Sequence, residues 1–282
     1  VPTPSESALK PAEFAKIRRL AYDTFGLDLR PGKETLVSAR LGKHIRKSGC
    51  GSFDEYYRRV VEDSTGEALT QLIDALTTNH TSFFREPAHF DFLRRTFLPG
   101  RKDRGTIDIW SAACSSGEEP YSIAMCLLDE LGPAAAGRVR ILAADISTHV
   151  LAKARQGVYP AERFEGLPGD MLRKYLLRGE GRWAGWYRMK KEVRAMITFR
   201  QMNLLEPAPA VGPFGLIFCR NVMIYFDKPT QQRVVDRLTD SLETGGYLFI
   251  GHSESLNGIG QRFDYIRPAT YRKTSGMAGE RA

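Results

Sequence analysis

The hydrophobic pattern changes character about a third of the way along the chain. Before that point apolar residues recur every three or four positions. This predicts helices over Pro11 to Phe25, Lys33 to Lys47, Ser52 to Asp63 and Glu67 to Thr78. After the polar turn Pro99-Gly100-Arg101-Lys102-Asp103-Arg104-Gly105 the pattern alternates between short β-rich runs and helical stretches. Thr106 to Trp110 reads as a strand. A loop of small residues, Ser111 to Gly117, follows, and Tyr121 to Leu128 reads as a helix with Pro120 in its first turn. Val139 to Ala144 is a second strand, ending at Asp145. Ser147 is placed to cap a helix over His149 to Gln156 that Gly157 closes. Gly215 to Cys219, a helix over Thr230 to Leu242, a turn at Thr244-Gly245-Gly246 and a strand over Tyr247 to Gly251 complete an α/β alternation.

A strand, a small-residue loop and a helix build a nucleotide pocket at the carboxyl edge of an open sheet. The loop here has one glycine, Gly117, where a dinucleotide fingerprint needs three. It carries Glu118 and Glu119 instead, which either favour the helix dipole or suit a cationic ligand such as S-adenosylmethionine. Asp145, a little over twenty residues on, stands where such folds hold ribose hydroxyls, or else it caps the neighbouring helix.

These residues resemble the chemotaxis receptor glutamate methyltransferases, the CheR family. The likeness is carried by Asn79-His80-Thr81-Ser82-Phe83-Phe84-Arg85-Glu86, by Trp110 to Ser122, by Asn203-Leu204-Leu205, by Phe218 to Phe226 and by Gly251-His252-Ser253-Glu254. It reaches from about residue 35 to about residue 272. The resemblance implies an all-α N-terminal domain, 1–88, and a Rossmann-like α/β S-adenosylmethionine-dependent methyltransferase domain, 89–282. A small antiparallel β-subdomain is inserted at about 160–200. Within that insert, Glu180 to Met189 and Val193 to Phe199 read as strands around Lys190-Lys191-Glu192.

By the same resemblance, cofactor contacts fall on Asn79, Thr81, Arg85, Glu118, Asp145, Asn203, Leu204, Arg220 and Asn221. Arg85 and Tyr225 are the catalytic candidates. Arg85 is expected to orient a carboxylate, of substrate or of cofactor, and Tyr225 to pack near the transferred methyl or else in the core. The implied reaction moves a methyl group from S-adenosylmethionine to receptor glutamates, leaving S-adenosylhomocysteine. A nucleic-acid methyltransferase is the alternative. It is disfavoured because no Asn-Pro-Pro-Tyr-like motif follows the Phe218-Cys219 strand.

Charge and composition sharpen this picture. The 282 residues carry a formal net charge of +8, and 42% are hydrophobic. On the second helix Val37, Leu41 and Ile45 face the core, while Arg40, Lys43, Arg46 and Lys47 form a basic stripe. The resemblance makes that stripe a docking surface for the cytoplasmic helical domain of a methyl-accepting receptor. Trp183, Trp186 and Tyr187 either line a groove for a receptor C-terminal peptide or pack against the parent domain. The expected state is a cytoplasmic monomer recruited to membrane receptor arrays, not inserted in the membrane and without a nucleic-acid partner. Cys50, Cys114, Cys126 and Cys219 are scattered, and the five histidines form no ligand motif. No metal site is therefore expected.

Overall fold

The computed structural model describes residues 9–101, 105–133, 137–207 and 211–275. They form two compact units.

The first unit holds the described residues up to Asn79 together with Tyr225–Gln231. Its helices are α1 (Pro11–Phe25), α2 (Glu34–Lys47), α3 (Phe53–Glu62) and α4 (Glu67–Leu76). Local caps set several of their ends. In α1 a proline opens the helix and the Glu13 carboxylate accepts from the Lys10 N–H at 2.8 Å. Gly26, at φ 71°, closes it with N–H bonds back to the Tyr22 and Ala21 carbonyls. Ser52 caps α3 by accepting from the Glu55 N–H. The buried faces contribute Phe14, Ile17, Val37, Leu41, Ile45, Phe53, Tyr56, Leu72 and Ile73. Fully burying such side chains stabilises by roughly 1.5–3 kcal/mol each before chain entropy is subtracted. The returning segment is tied in by a bridge between Leu27 and Phe226 and by the Tyr22 hydroxyl donating to Asp227 at 2.9 Å.

The second unit, His80–Ile224 and the described residues from Gln232 on, is an α/β layer structure. It opens with the short helix α5 (Pro87–Phe92), continued by a π-helical turn over Leu93–Phe97. The chain then runs β1 (Ile107–Ser111), α6 (Glu118–Leu131), β2 (Val139–Asp145), α7 (Thr148–Gln156), β3 (Val158–Pro160), α8 (Gly169–Tyr175) and β4 (Leu176–Arg178). It continues through β5 (Trp186–Met189), α9 (Lys191–Arg194), β6 (Ile197–Gln201), β7 (Phe214–Cys219), α10 (Lys228–Ser241), β8 (Leu242–Ile250), β9 (Phe263–Arg267) and β10 (Thr270–Lys273).

Seven strands pair in the order β6-β2-β1-β7-β8-β10-β9, and the first five are mutually parallel. Because the chain leaves β1 toward β2 on one side and returns with β7 on the other, the sheet order reverses at β1. Open parallel sheets bind ligands outside the carboxyl ends of their strands at such a reversal. All six residues of β7 are buried, as a strand covered on both faces requires.

Three features depart from the sequence expectations. The β-subdomain is the antiparallel sheet β3-β5-β4, so its strands come from residues 158–189. Val193 lies in α9, and Ile197–Gln201 is instead the edge of the large sheet, parallel to β2. Gly181–Trp183 is a 3₁₀ turn rather than part of a strand. Thr244-Gly245-Gly246 is not a separate turn but lies inside β8, where the pairing with β7 shifts register.

Candidate active site

The loop after β1 is held by backbone bonds to both neighbouring strands. Ala112 N–H reaches the Phe218 carbonyl and Cys114 N–H the Ala144 carbonyl, each at 2.8 Å. Gly117 sits at φ 99°, and a Cβ there would meet the Tyr159 hydroxyl at 2.8 Å and Ala154 Cβ at 2.9 Å. Only glycine satisfies both the conformation and the space. Cys114 is fully buried, and burial pushes its thiol well above the ordinary range, so it has no nucleophilic character.

Asp145 ends β2, and its two carboxylate oxygens accept from Ser115 N–H at 2.8 Å and Ser147 N–H at 3.0 Å. Asn203 follows β6 and accepts from Leu205 N–H at 3.0 Å in an Asx turn. Met202 N–H bonds to the Asp145 carbonyl at 3.0 Å, which sets the ends of β2 and β6 side by side. Glu118 opens α6 almost fully buried. Its carboxylate accepts from Ser116 Oγ at 2.7 Å and from the Arg163 guanidinium, which also reaches the Thr81 carbonyl at 2.7 Å.

Arg220 directly follows β7, with its side chain 2% exposed. It donates to Glu119 at 2.8 Å, to Glu86 at 3.2 Å and to the Arg85 carbonyl. Glu119 also accepts from Ser111 Oγ at 2.7 Å. Burial raises the Glu86 carboxyl, but the Arg220 charge and the His252 N–H outweigh it and hold it below the usual range. Burial, and then Arg220, push His89 beside it down to about 3, so that ring is neutral. Asn221, at φ 58°, donates its N–H to Glu254 at 2.9 Å. The same carboxylate accepts from Gly251 N–H at 2.6 Å and Ile224 N–H at 3.3 Å, and burial raises its affinity for a proton.

Four of the five described non-glycine residues at positive φ lie here: Phe84, Glu86, Ser115 and Asn221. Each costs of order 1–3 kcal/mol and persists only where its surroundings enforce it. Arg220 holds Glu86, Asp145 holds Ser115, Glu254 holds Asn221, and the Phe84 N–H donates to Ser122 Oγ at 2.9 Å.

The structure thus gathers Thr81, Arg85, Glu118, Asp145, Asn203, Leu204, Arg220 and Asn221 in the second unit, most of them past the carboxyl ends of β6, β2, β1 and β7. Arg85 lays one N–H on the His80 carbonyl at 3.0 Å. Asn79 and Tyr225 belong to the first unit, where the Tyr225 hydroxyl bonds both backbone groups of Thr78, at 3.1 and 3.2 Å. Glu118 and Glu119 are each paired with an arginine, so the loop is not a bare acidic surface and would not by itself select a cation. Sequence reasoning assigned no part to Arg163, Glu86 or Glu254. The last two stood inside quoted segments, whereas Arg163 carried no local signal.

Of the basic stripe, Lys43, Arg46 and Lys47 are exposed. Arg40 is not part of a free face: it donates to the Leu76 carbonyl at the end of α4 and to Thr78 Oγ1 at 2.8 Å. At the small sheet, Trp183 of the preceding 3₁₀ turn and Trp186 of β5 are exposed and meet edge to face, while Tyr187 packs on Phe164.

The architecture fits S-adenosylmethionine. It offers one carboxylate acceptor, Asp145, at the end of β2 and another, Glu118, at the start of α6, and no glycine-rich cradle for a pyrophosphate. Comparison with known proteins agrees. Residues 79–272 match the family model described as CheR methyltransferase, SAM binding domain, and residues 12–77 match CheR methyltransferase, all-alpha domain. The chain is 41% identical over 270 residues to a chemotaxis protein methyltransferase of Borreliella burgdorferi, covering 93% of this chain and 94% of that one. It is 44% identical over 245 residues to chemotaxis protein methyltransferase 2 of Pseudomonas aeruginosa, covering 86% of each. The Escherichia coli chemotaxis protein methyltransferase is 42% identical over 257 residues, covering 91% of this chain and 88% of that one. Matched by both family models and by relatives about two-fifths identical over nearly their whole length, this chain belongs to the CheR family of S-adenosylmethionine-dependent methyltransferases.

Proposed function

We propose that this chain esterifies glutamate side chains on the cytoplasmic helical domain of methyl-accepting chemotaxis receptors. The observation that carries the reading is the identity of about two residues in five, over nearly the full length, to proteins named for chemotaxis methylation. S-adenosylmethionine supplies a methyl group on a sulfonium, whose departure leaves neutral S-adenosylhomocysteine. A glutamate has an ordinary pKa of ~4.3, so near pH 7 it is already deprotonated and no general base is demanded of this chain.

What the residues contribute is position. Asp145, a carboxylate with several acceptor sites, would accept from the ribose hydroxyls, and Glu118, clamped by Arg163, would give a second fixed acceptor. Asn203, Leu204 and Asn221 line the adjoining strand ends, and Thr81 and Asn79 come from the segment joining the helices to the sheet. Arg85 uses one of its N–H groups on His80, which leaves a fork able to orient a carboxylate. Tyr225 would stand near the methyl group as a packing element. Holding reactants in line supplies roughly 7–11 kcal/mol in well-oriented systems.

Lys43, Arg46 and Lys47 would steer the acidic receptor helices, and the exposed Trp183 and Trp186 would take a receptor C-terminal peptide. The test is transfer of labelled methyl groups from S-adenosylmethionine to purified receptor cytoplasmic fragments. Base-labile label that disappears when the receptor glutamates are replaced by alanine is expected. Label entering nucleic acid instead, with none on any receptor, would overturn the reading.

A further inference from the structure

Glu86, His89 and His252 converge at one point of the second unit, although 166 residues separate Glu86 from His252. His89 Nδ1 lies 3.5 Å from Glu86 Oε2, and His252 Nε2 lies 3.8 Å from the same oxygen. The three atoms all lie within 4.8 Å of one another, and no other His, Cys, Asp or Glu trio among the described residues meets this closely.

The tautomer of His89 follows from its far side. Its Nε2 faces the Ala269 carbonyl at 3.3 Å, and a carbonyl only accepts, so Nε2 carries the proton. A neutral ring has one proton, which leaves Nδ1 as a lone pair. That atom is buried and has no hydrogen-bond partner, in a ring 1% exposed and stacked on Phe249 at 4.6 Å. A lone pair therefore points at a carboxylate oxygen 3.5 Å away. Two acceptors in that relation repel one another, and a cation between them removes the conflict.

We propose that Glu86, His89 and His252 form a binding site for a zinc-class divalent transition metal. Ligands about 2.0–2.2 Å from a tetrahedral ion lie roughly 3.3–3.5 Å apart. The 3.5 and 3.8 Å separations from Glu86 are within a few tenths of an ångström of this, and the two histidine nitrogens, within 4.8 Å of one another, need at most about 1.5 Å of closure, which His252, 48% exposed on its side chain, is able to make. Two imidazoles and a carboxylate suit zinc, and three protein ligands leave a fourth position open. The Ala269 carbonyl is the outer-shell partner that orients a ligating histidine.

Arg220 opposes a cation here, since its guanidinium lies 3.1 Å from Glu86 Oε2. Glu119 on its other side, at 2.8 Å, offsets it, so the two carboxylates and one guanidinium leave a net negative charge. The metal and Arg220 share one carboxylate oxygen. Occupancy then loosens Arg220, and, on the proposed function, it slows methyl transfer.

The experiment titrates the untagged full chain with Zn²⁺ by calorimetry and with Co²⁺ by visible absorption. One equivalent per chain and the ligand-field bands of a four-coordinate N,N,O site are expected. His252→Ala, a change at an exposed side chain, should weaken binding at least about tenfold while far-ultraviolet circular dichroism stays native. All four cysteines are buried, so no thiol competes. Three results would each overturn the site: no saturable binding, binding unaffected by His252→Ala, or nitrogen chemical shifts showing a doubly protonated His89 ring. These readouts do not depend on methyl transfer. Zinc inhibition equal in wild type and His252→Ala, with the site otherwise upheld, would overturn only the link to catalysis.

Discussion

Replacing Arg220 by methionine should be the most damaging single change to the second unit. The methionine fills much of the volume but leaves Glu86 and Glu119 without their shared counter-charge. Their side chains are 11% and 9% exposed, and that of Arg220 is 2% exposed, so solvent screens the trio weakly. Breaking a buried pair by removing one partner costs ~3–5 kcal/mol, mostly because a charge is left uncompensated. At a urea slope of about 2 kcal/mol per molar, the midpoint should fall by roughly 1.5–2.5 M. Tryptophan fluorescence is the suitable probe, because all three tryptophans, Trp110, Trp183 and Trp186, lie in the second unit. Adding Glu119→Gln removes one stranded charge and should recover about 1 kcal/mol or more, within the usual range of coupling between contacting residues. A loss under about 1 kcal/mol, or no recovery in the double variant, would refute the account of Arg220 as the buried hub.

Gly117→Ala should reduce S-adenosylmethionine affinity more than tenfold by calorimetry, since its Cβ has no room beside Tyr159 and Ala154. An unchanged affinity would mean that the loop is not at the cofactor. Reversing Lys43, Arg46 and Lys47 to glutamate should lower kcat/KM on receptor fragments, most strongly at low salt, and leave cofactor binding intact. Equal rates at low and high salt would sink the docking surface. Asp129 on α6 accepts from Lys174 and Tyr175. Burial raises its carboxyl, but those two partners lower it further, so the net shift is downward. A lowered folded pKa gives stability that is present above the unfolded value of ~3.9 and lost as pH falls through the folded one. Asp129→Asn should therefore cost about 1 kcal/mol at pH 7, allowing for partial exposure, and nothing at the acid end. A cost independent of pH in thermal unfolding would argue against that pairing.

The sequence by itself determined what is local. The period of the apolar positions marks the four helices of the first unit and the buried strand β7. Small residues mark the turn after β1, and Ser147 and Gly157 mark the ends of α7, because caps and positive φ values depend on near neighbours alone. The resemblance named Glu118, Asp145, Asn203, Arg220 and Asn221; Asp145, Asn203, Arg220 and Asn221 stand at or just past the ends of β2, β6 and β7, and Glu118 opens α6.

Only the tertiary structure decided pairing. The apolar face of Ile197–Gln201 looks the same whether it packs in a small antiparallel sheet or at the edge of the large one, because periodicity specifies a buried face and not a partner. Arg40 repeats at stripe spacing, yet the end of α4 takes it, as an open carbonyl within reach outcompetes water. Arg163 becomes the clamp on Glu118 only because the fold carries it there from 45 residues away. Glu86, His89 and His252 read as dispersed along the chain for the same reason. Ligand geometry is a property of distances in space, and those are set when β8 and α5 close on one core around Phe249.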